Sequence, residues 1–218
     1  MRENIYKYIE LISQIHKAGP VVEWGSRKVS VEQSATNDLR PLFKRLKYIG
    51  CDVTKGKGVD KVDNLVTSKL PSDFASTILC CETLEHVFDI HKAAKQLIRV
   101  INKKNGLIVV SVPSGDFPIH WPPDYWRMTP EAMDKLFEKV PYRTVLFQGR
   151  LEQPHTVLGV FTFNKNIHNN VKTHLFENMA SIPSYNLKGE NIYLWINAQT
   201  YCLQRKNAAK AETLINNS

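Results

Sequence analysis

Short apolar runs alternate along the chain with segments in which apolar residues recur at helical spacing. Seven runs have the length and the β-branched content of buried strands, and they are PVVEW, LKYIGCDV, GVDKV, ASTILCCE, NGLIVVSVP, YRTVLFQG and TVLGVFTF. Helical patterns or long connections separate most of them, which favours parallel neighbours. Only RLEQPH joins the last two, so these predict an antiparallel pair at the sheet edge. The pattern predicts an α/β fold with a doubly wound, mostly parallel sheet of seven strands and an antiparallel edge strand.

Four segments have patterns typical of helices. The first is MRENIYKYIELISQIHKAG, which is amphipathic, and the second is HVFDIHKAAKQLIRVIN, a crossover helix between the fourth and fifth strands. The third, TPEAMDKLFEKV, opens with Thr129 as N-cap and Pro130 at the first helical position. A final helix is predicted around YLWINAQTYCLQRKNAAKAETL, followed by a polar end.

The size and charge of the chain limit the classes of function. With 218 residues, 43% of them hydrophobic, the chain suits one α/β domain with a short appendage. Lys and Arg exceed Asp and Glu by 29 − 21 = 8, so the surface field favours acidic ligands, which include nucleic acid, phosphorylated sugars and anionic glycans. The basic residues are scattered in short groups, which favours a solvated surface over a nucleic-acid footprint.

Neither a membrane segment nor a metal site is expected. No stretch approaches membrane-spanning length, and the first helix lacks the unbroken apolar core of a signal peptide. Cys51, Cys80, Cys81 and Cys202 lack the spacing of metal ligands, and a strand would point Cys80 and Cys81 to opposite faces. We therefore expect a cytoplasmic protein with reduced thiols.

Polar residues follow the apolar runs at the end of the sheet where α/β proteins bind ligands. Gly25 after the first strand permits close backbone approach, and Asp52 after the second can accept hydrogen bonds from both hydroxyls of a ribose. The segment GSRKVSVEQSA contains neither G-x-G-x-x-G nor G-x-x-x-x-G-K-[ST], so a ligand without a pyrophosphate is expected. S-adenosylmethionine (SAM) fits, because it has an adenosine and a cationic sulfonium with an amino-acid tail.

Four blocks of the sequence resemble successive motifs of class I SAM-dependent methyltransferases. They are EWGSR, LRPLFKRLKYIGCDVTKGKGVD, CCETLEHVFDIHKAAKQLIRVINKKNGLIVVSVP and FPIHWPPDYWRMTPEAM, and they lie within Val21 to Phe137. The resemblance is to the subgroup with LEH after strand four and PDYWR after strand five. It implies a Rossmann-like, SAM-binding methyltransferase domain, to which we assign residues 20–164. The sequence pattern adds an N-terminal helix over 1–19 and a C-terminal appendage over 165–218 with a helix and a disordered end.

The resemblance also implies which residues surround the cofactor. They are Glu23, Gly25 and Ser26 for its methionine part, Asp52 for the ribose, Asp63 or Asn64 for the adenine, and Cys81, Glu82 and Leu84 for the floor beneath it. The sequence departs from the commoner pattern at Arg27, where many members have a second glycine, and in NLVTSKLP, which is longer than expected after the third strand.

The loop FPIHWPPDYWR after the fifth strand is predicted to close the acceptor site. Loops that are rich in aromatic and charged residues often bind ligands. His120 is the first candidate for a general base and Asp124 the second, and the residues expected to bind the acceptor are His86, Trp121, Tyr125 and Arg127. The alternative is a rigid lid whose residues only fasten the loop to the domain.

The predicted reaction is in-line transfer of the sulfonium methyl, with alignment of acceptor and methyl as the main task of the protein. O-methylation of a glycan or small molecule is expected, because aromatic side chains stack on rings. Two alternatives stay open. The net charge favours an RNA methyltransferase, and Arg27 favours a protein that binds the cofactor or a partner without catalysis.

Overall fold

One sheet runs through the molecule and carries helices on both faces. The computed structural model describes residues 1–28, 38–119, 122–178, 181–182, 191–196, 199–203 and 212–215. The helices in these ranges are α1 (Glu3–Ile15), α2 (Ile90–Val100), α3 (Pro130–Leu136) and α4 (Lys165–Asn178). The strands are β1 (Val21–Trp24), β2 (Tyr48–Asp52), β3 (Lys61–Val62), β4 (Thr77–Cys81), β5 (Leu107–Pro113), β6 (Tyr142–Gly149), β7 (Pro154–Thr162), β8 (Asn191–Ile196), β9 (Gln199–Leu203) and β10 (Glu212–Ile215).

The order of the strands confirms the predicted fold class. The described residues form a ten-stranded sheet in the order β10-β9-β8-β6-β7-β5-β4-β1-β2-β3. The half from β3 to β5 is parallel, and β7 runs antiparallel between β5 and β6. All seven predicted runs form strands, β1 to β7. Beyond β6 the sheet continues through three further strands, which the pattern did not predict.

The predicted final helix is wrong, because the described parts of its segment form strands. β8 pairs with β6, where Trp195 lies opposite Val145, and β9 pairs with β8. The ring of Tyr193 stacks on Phe147 with 4.9 Å between centroids. Aromatic and β-branched side chains pack well on a sheet surface. The edge of β6 also offers backbone hydrogen-bond partners, which favour a strand at this position. The end of the chain, residues 216–218, lies outside the described residues.

The two faces of the sheet have separate cores, because successive strand residues point to opposite sides. Val21, Leu79 and Val109 pack on the face of α1 and α4. Their neighbours Val22, Ile78 and Val110 pack on the face of α2 and α3. Cys80 belongs to the second core and Cys81 packs against the first, as the sequence predicts.

Helix α3 begins where its sequence indicates, whereas α2 begins at Ile90, four residues after the start of its predicted segment, and α4 was not predicted. Thr129 Oγ1 accepts a hydrogen bond of 3.1 Å from the Ala132 backbone N–H, and Pro130 is the first residue of α3. Helix α2 buries Ala94 and Leu97 against the sheet. Among the described residues, no helix has both the length and the apolar content needed to cross a bilayer.

Candidate functional site

The carboxyl ends of β1, β2 and β4 meet at one edge of the sheet. β1 lies between β2 and β4, and Trp24 is in register with Cys51 on one side and with Cys80 on the other. The chain therefore passes from β1 to β2 on one side and reaches β4, on the other side of β1, through a later crossover. Such a switch point opens a crevice outside the strand ends, where α/β sheets bind ligands.

Gly25 forms the turn on the β1 side of this crevice, and no other residue fits there. Its φ is +80°, and its backbone N–H donates a hydrogen bond of 3.0 Å to the Cys51 carbonyl. A Cβ at this position would lie 2.1 Å from Thr83 Oγ1. Thr83 is itself held, since its hydroxyl donates to the Cys81 carbonyl at 2.9 Å. The glycine thus lets the turn after β1 pack directly on the turn after β4.

The residues after Gly25 lie beside the end of β2. Ser26 is buried, and its backbone N–H and hydroxyl both donate to the Cys51 carbonyl, each at 3.2 Å. Arg27 is exposed, and its Cγ would lie 3.1 Å from a Cβ at Gly56. Its side chain therefore extends over the loop that follows Asp52.

Asp52 presents a partly exposed carboxylate that the backbone holds in position. Oδ1 accepts the Thr54 N–H at 3.0 Å and Oδ2 accepts the Arg27 N–H at 3.3 Å. A carboxylate oxygen has more than one acceptor direction, so each oxygen can accept a further hydrogen bond. The carboxylate is therefore oriented in advance for a ligand that offers two hydroxyls.

Glu23 lies on β1, two residues before Gly25. Its carboxyl group is desolvated although the residue as a whole is partly exposed. Tyr48 donates a hydrogen bond of 2.8 Å to Glu23 Oε2, and the guanidinium of Arg40 lies 4.7 Å from the centroid of the Tyr48 ring. Burial raises the pKa of Glu23 to about 7, against the opposing effects of the Tyr48 hydrogen bond and the Arg40 charge. Glu23 can therefore hold or release a proton near neutral pH.

The two candidates for the adenine contact have different surroundings. Asp63 is buried and accepts a hydrogen bond of 3.3 Å from Trp24 Nε1. Asn64 is exposed, and its Oδ1 accepts the Val66 N–H at 2.9 Å at the start of a 3-10 turn, Leu65–Thr67. The Asp63 N–H also donates to the Asp52 carbonyl at 2.9 Å, so Asp63 is joined to the end of β2.

The end of β4 combines an apolar floor with a charged pair. Leu84 is fully buried, and burial raises the pKa of the Cys81 thiol. Glu82 has φ +49° and accepts two hydrogen bonds of 2.9 Å from the Nε and Nη2 of Arg2. The carboxylate of Glu82 therefore points toward the start of α1.

Arg2 is a site residue that sequence reasoning missed. Its Nη1 donates to Thr156 Oγ1 at 2.5 Å, and its guanidinium lies 4.4 Å from the centroid of the Phe117 ring. Its side chain is only 8% exposed. No local pattern marks this arginine, because its partners lie in the turn after β4, on β7 and in the loop after β5.

The segment PDYWR is fastened to the turn after β4. The Tyr125 N–H donates to the Glu85 carbonyl at 2.7 Å, and Trp126 Nε1 donates to the Val87 carbonyl at 3.0 Å. Arg127 pairs with both oxygens of Asp124, at 2.5 and 2.6 Å, and the side chain of Asp124 is fully buried. These contacts are those of a rigid lid, and they also hold the aromatic rings in place.

Three exposed rings, two of them in this segment, form a platform. Phe88 is 70% exposed, Tyr125 50% and Trp126 38%. Phe88 and Tyr125 meet edge to face at 5.5 Å between centroids. His86 is adjacent, and its Nδ1 donates to the Pro123 carbonyl at 3.0 Å. His120 and Trp121 lie outside the described residues, so their predicted roles stay predictions.

Comparison with known proteins shows the fold of the chain and not its family. No protein-family model matches the chain, and no curated protein matches it. A SAM-dependent methyltransferase of Thermotoga maritima, described as a possible histamine N-methyltransferase, is similar in structure with a TM-score of 0.54 and 15% identity, over 73% of this chain and 89% of that one.

Two further solved structures share the fold. The [4+2]-cyclase SpnF has a TM-score of 0.53 and 8% identity, over 73% of this chain and 81% of its own. The trans-methyltransferase CalH, in complex with SAH, has a TM-score of 0.51 and 8% identity, over 73% of this chain and 56% of its own. The chain has the Rossmann-like fold of these proteins.

Proposed function

We propose that this chain is a SAM-dependent methyltransferase whose cofactor lies in the crevice between the ends of β1, β2 and β4. One observation carries the proposal. The turn at Gly25, which only glycine fits, and the backbone-held carboxylate of Asp52 lie side by side at the switch point of the sheet. The structures with this fold include a SAM-dependent methyltransferase and a methyltransferase in complex with SAH, which supports the choice of ligand.

The residues of the crevice suit the parts of this cofactor. Asp52 would accept hydrogen bonds from the ribose hydroxyls, and the exposed Asn64 is better placed than the buried Asp63 to meet the adenine. Leu84 would form the apolar floor, with Cys81 and Glu82 on either side of the strand end. Glu23, Gly25 and Ser26 would bound the methionine part. When bound, the cofactor supplies an electrophilic methyl group on a sulfonium.

The protein's own contribution would be alignment and the exclusion of water. Arg2, packed on Phe117 and paired with Glu82, closes the site from the side of α1. Asp124 is held as a carboxylate by Arg127, which suits a role in positioning the loop better than a role as a base. His120 therefore stays the first candidate for the base if the acceptor is a hydroxyl.

A glycan or small molecule is the proposed acceptor. The platform of Phe88, Tyr125 and Trp126 supports it, because flat exposed rings stack on sugar and aromatic rings. His86 and Arg127 lie beside the platform and would orient the polar groups of the acceptor.

A protein of this fold that binds the cofactor without methyl transfer is the second candidate function. It is favoured by the solved [4+2]-cyclase of the same fold, since a shared fold does not fix an activity. Titration with SAM and S-adenosylhomocysteine, followed by transfer of a labelled methyl group to a panel of glycans and small molecules, separates the two. Binding with transfer supports the methyltransferase, and binding without transfer supports the second candidate. Saturable binding of NAD but of neither sulfur nucleoside contradicts both.

We expect His120→Ala to reduce methyl transfer about 100-fold or more, the usual effect of losing a general base. Affinity for S-adenosylhomocysteine and the melting temperature should stay nearly unchanged. His91→Ala, at an exposed position on α2, is the matched control and should leave transfer unchanged. Full turnover by His120→Ala would remove His120 from the mechanism, and an unfolded variant would show that it packs the loop.

A further inference from the structure

Glu85 is a buried carboxyl that the proposed reaction does not yet use. It lies in the 3-10 turn Leu84–His86 directly after β4, and the residue is 0% exposed. No other group in the described part of the chain forms a hydrogen bond with either of its carboxyl oxygens. The segment PDYWR covers it, since the Glu85 carbonyl accepts the Tyr125 N–H at 2.7 Å.

Charges of both signs surround the Glu85 carboxyl. Glu82 and Asp124 are the acidic neighbours, and each is bound by an arginine of its own, Arg2 and Arg127 respectively. His86 follows Glu85 in the same turn, and its Nε2 lies 3.8 Å from Glu85 Oε1. At that distance the imidazole makes no hydrogen bond with the carboxyl, and its Nδ1 already donates to the Pro123 carbonyl.

The surroundings of Glu85 favour its protonated form. Burial raises its pKa well above the ordinary value, and the negative charges of Glu82 and Asp124 raise it further. The Glu85 backbone N–H and Arg2 act in the opposite direction. A buried acid without a hydrogen-bond partner is costly to the folded state, and a buried group of this kind in a cleft is a candidate for a functional role.

We propose that the acceptor bears an ammonium group that pairs with Glu85. This inference rests on the proposed function and names the class of acceptor, a glycan or small molecule with a protonated amine. A metal ion is the other cation that carboxylates attract. Among the residues that the structure describes, no three His, Cys, Asp or Glu side chains are arranged to hold one. An organic ammonium is therefore the cation that the cluster fits, with Glu82 and Asp124 reinforcing the negative field.

Binding of such an acceptor has a defined proton balance. The free amine is protonated near pH 7 and stays so in the complex, while Glu85 changes from a neutral acid to a carboxylate. One proton therefore leaves the protein for the buffer as the ion pair forms. Glu85 is 0% exposed, so the segment PDYWR, which is hydrogen-bonded to its turn, would have to shift to admit the amine.

The test uses the full chain saturated with S-adenosylhomocysteine and pairs of probes that differ mainly in the amine. Glucosamine is compared with glucose, and tyramine with 4-ethylphenol, by calorimetry at pH 7 in two buffers of different ionisation enthalpy. In at least one pair we expect the amine to bind about tenfold or more tightly than its neutral match, with about one proton released. Glu85→Gln should abolish both the preference and the proton release.

Asp73→Asn is the matched control, because it removes an exposed carboxylate at the other end of β4, where Asp73 pairs with Lys103 at 2.9 Å. It should leave the preference unchanged. Equal binding within every pair overturns the inference, as does a preference that persists in Glu85→Gln. Proton release on adding magnesium chloride alone overturns the choice of an amine. If Glu85→Gln does not fold, infrared spectroscopy of the wild-type chain replaces the test with this variant, and the band of the protonated carboxyl is recorded with and without the amine. A band that the amine leaves unchanged overturns the inference.

The same titration distinguishes the two proposals. If S-adenosylhomocysteine does not bind, the proposed function fails. If it binds and no amine is preferred, only the assignment of Glu85 fails.

Discussion

At the scale of single residues, Gly25 determines whether the crevice can form. A side chain there would be strained at φ +80° and would overlap Thr83 at 2.1 Å. We expect Gly25→Ala to lower the free energy of unfolding by about 2 kcal/mol or more, since the left-handed conformation alone costs roughly 1–2 kcal/mol. Urea denaturation measures the effect. Gly115→Ala is the matched control, because a Cβ there lies 3.6 Å from Gln153 Cγ, an ordinary contact. Equal stability of the two variants would contradict the described turn.

Glu23 gives the folded state a pH dependence of defined sign. Its pKa is about 7 in the folded protein against 4.5 ordinarily, so the folded state binds more protons between these values. The stabilising effect of its proton is fully present below pH 4.5 and is lost as the pH rises through about 7. Relative to Glu23→Gln, we expect the wild-type chain to lose about 3 kcal/mol of unfolding free energy over this interval. Denaturation curves at a series of pH values test this, and parallel curves for the two proteins would rule it out.

Residue contacts also separate what the sequence could predict at the site from what it could not. Gly25 and Asp52 each follow an apolar run directly, so a reading of strand ends finds them. Arg2 and Glu82 are 80 positions apart, and the fit of Gly25 against Thr83 depends on two strands that are adjacent only in space. The buried state of Glu85 likewise depends on the segment PDYWR, which lies on another part of the chain.

At the scale of elements, β8 explains why the last part of the sequence was misread. The run YLWINAQTYCL contains apolar residues at spacings that suit a helix, and the edge of β6 that it covers is not visible in local sequence. Strands β1 to β7 were predictable because their runs are short, apolar and bounded by polar turns. The sheet order, which places β7 between β5 and β6, follows from pairing over long distances.

The stacking of Tyr193 on Phe147 is expected to hold β8 to the sheet. Tyr193 is only 6% exposed. We expect Tyr193→Ala to lower the free energy of unfolding by about 3 kcal/mol, the scale for removing a buried aromatic ring. Tyr193→Phe keeps the ring and should lose much less. If both variants lose the same free energy of unfolding in chemical denaturation, the stacking contributes little to the attachment of β8.

At the scale of the whole molecule, the sheet brings the two proposed sites together. Its switch point places Gly25 and Asp52 beside the turn after β4, and that turn carries Glu82 and Glu85 on the side covered by Arg2 and the segment PDYWR. Cofactor and acceptor would thus meet at the end of β4. The fold alone permits more than one activity, so the ligand of the crevice is the point on which the account depends.

The most direct test is titration of the full chain with S-adenosylhomocysteine, in the wild-type form, in Asp52→Ala and in the control Asp73→Ala. Loss of charged hydrogen bonds to the ribose should weaken binding by about 1.5–3 kcal/mol in Asp52→Ala, roughly 10- to 150-fold, with the melting temperature measured in parallel to establish folding. The control should bind as the wild-type chain does. Saturable binding that falls only in Asp52→Ala is the result predicted. Binding that is absent from the wild-type chain, or unchanged in a folded Asp52→Ala, would contradict the placement of the cofactor at this crevice.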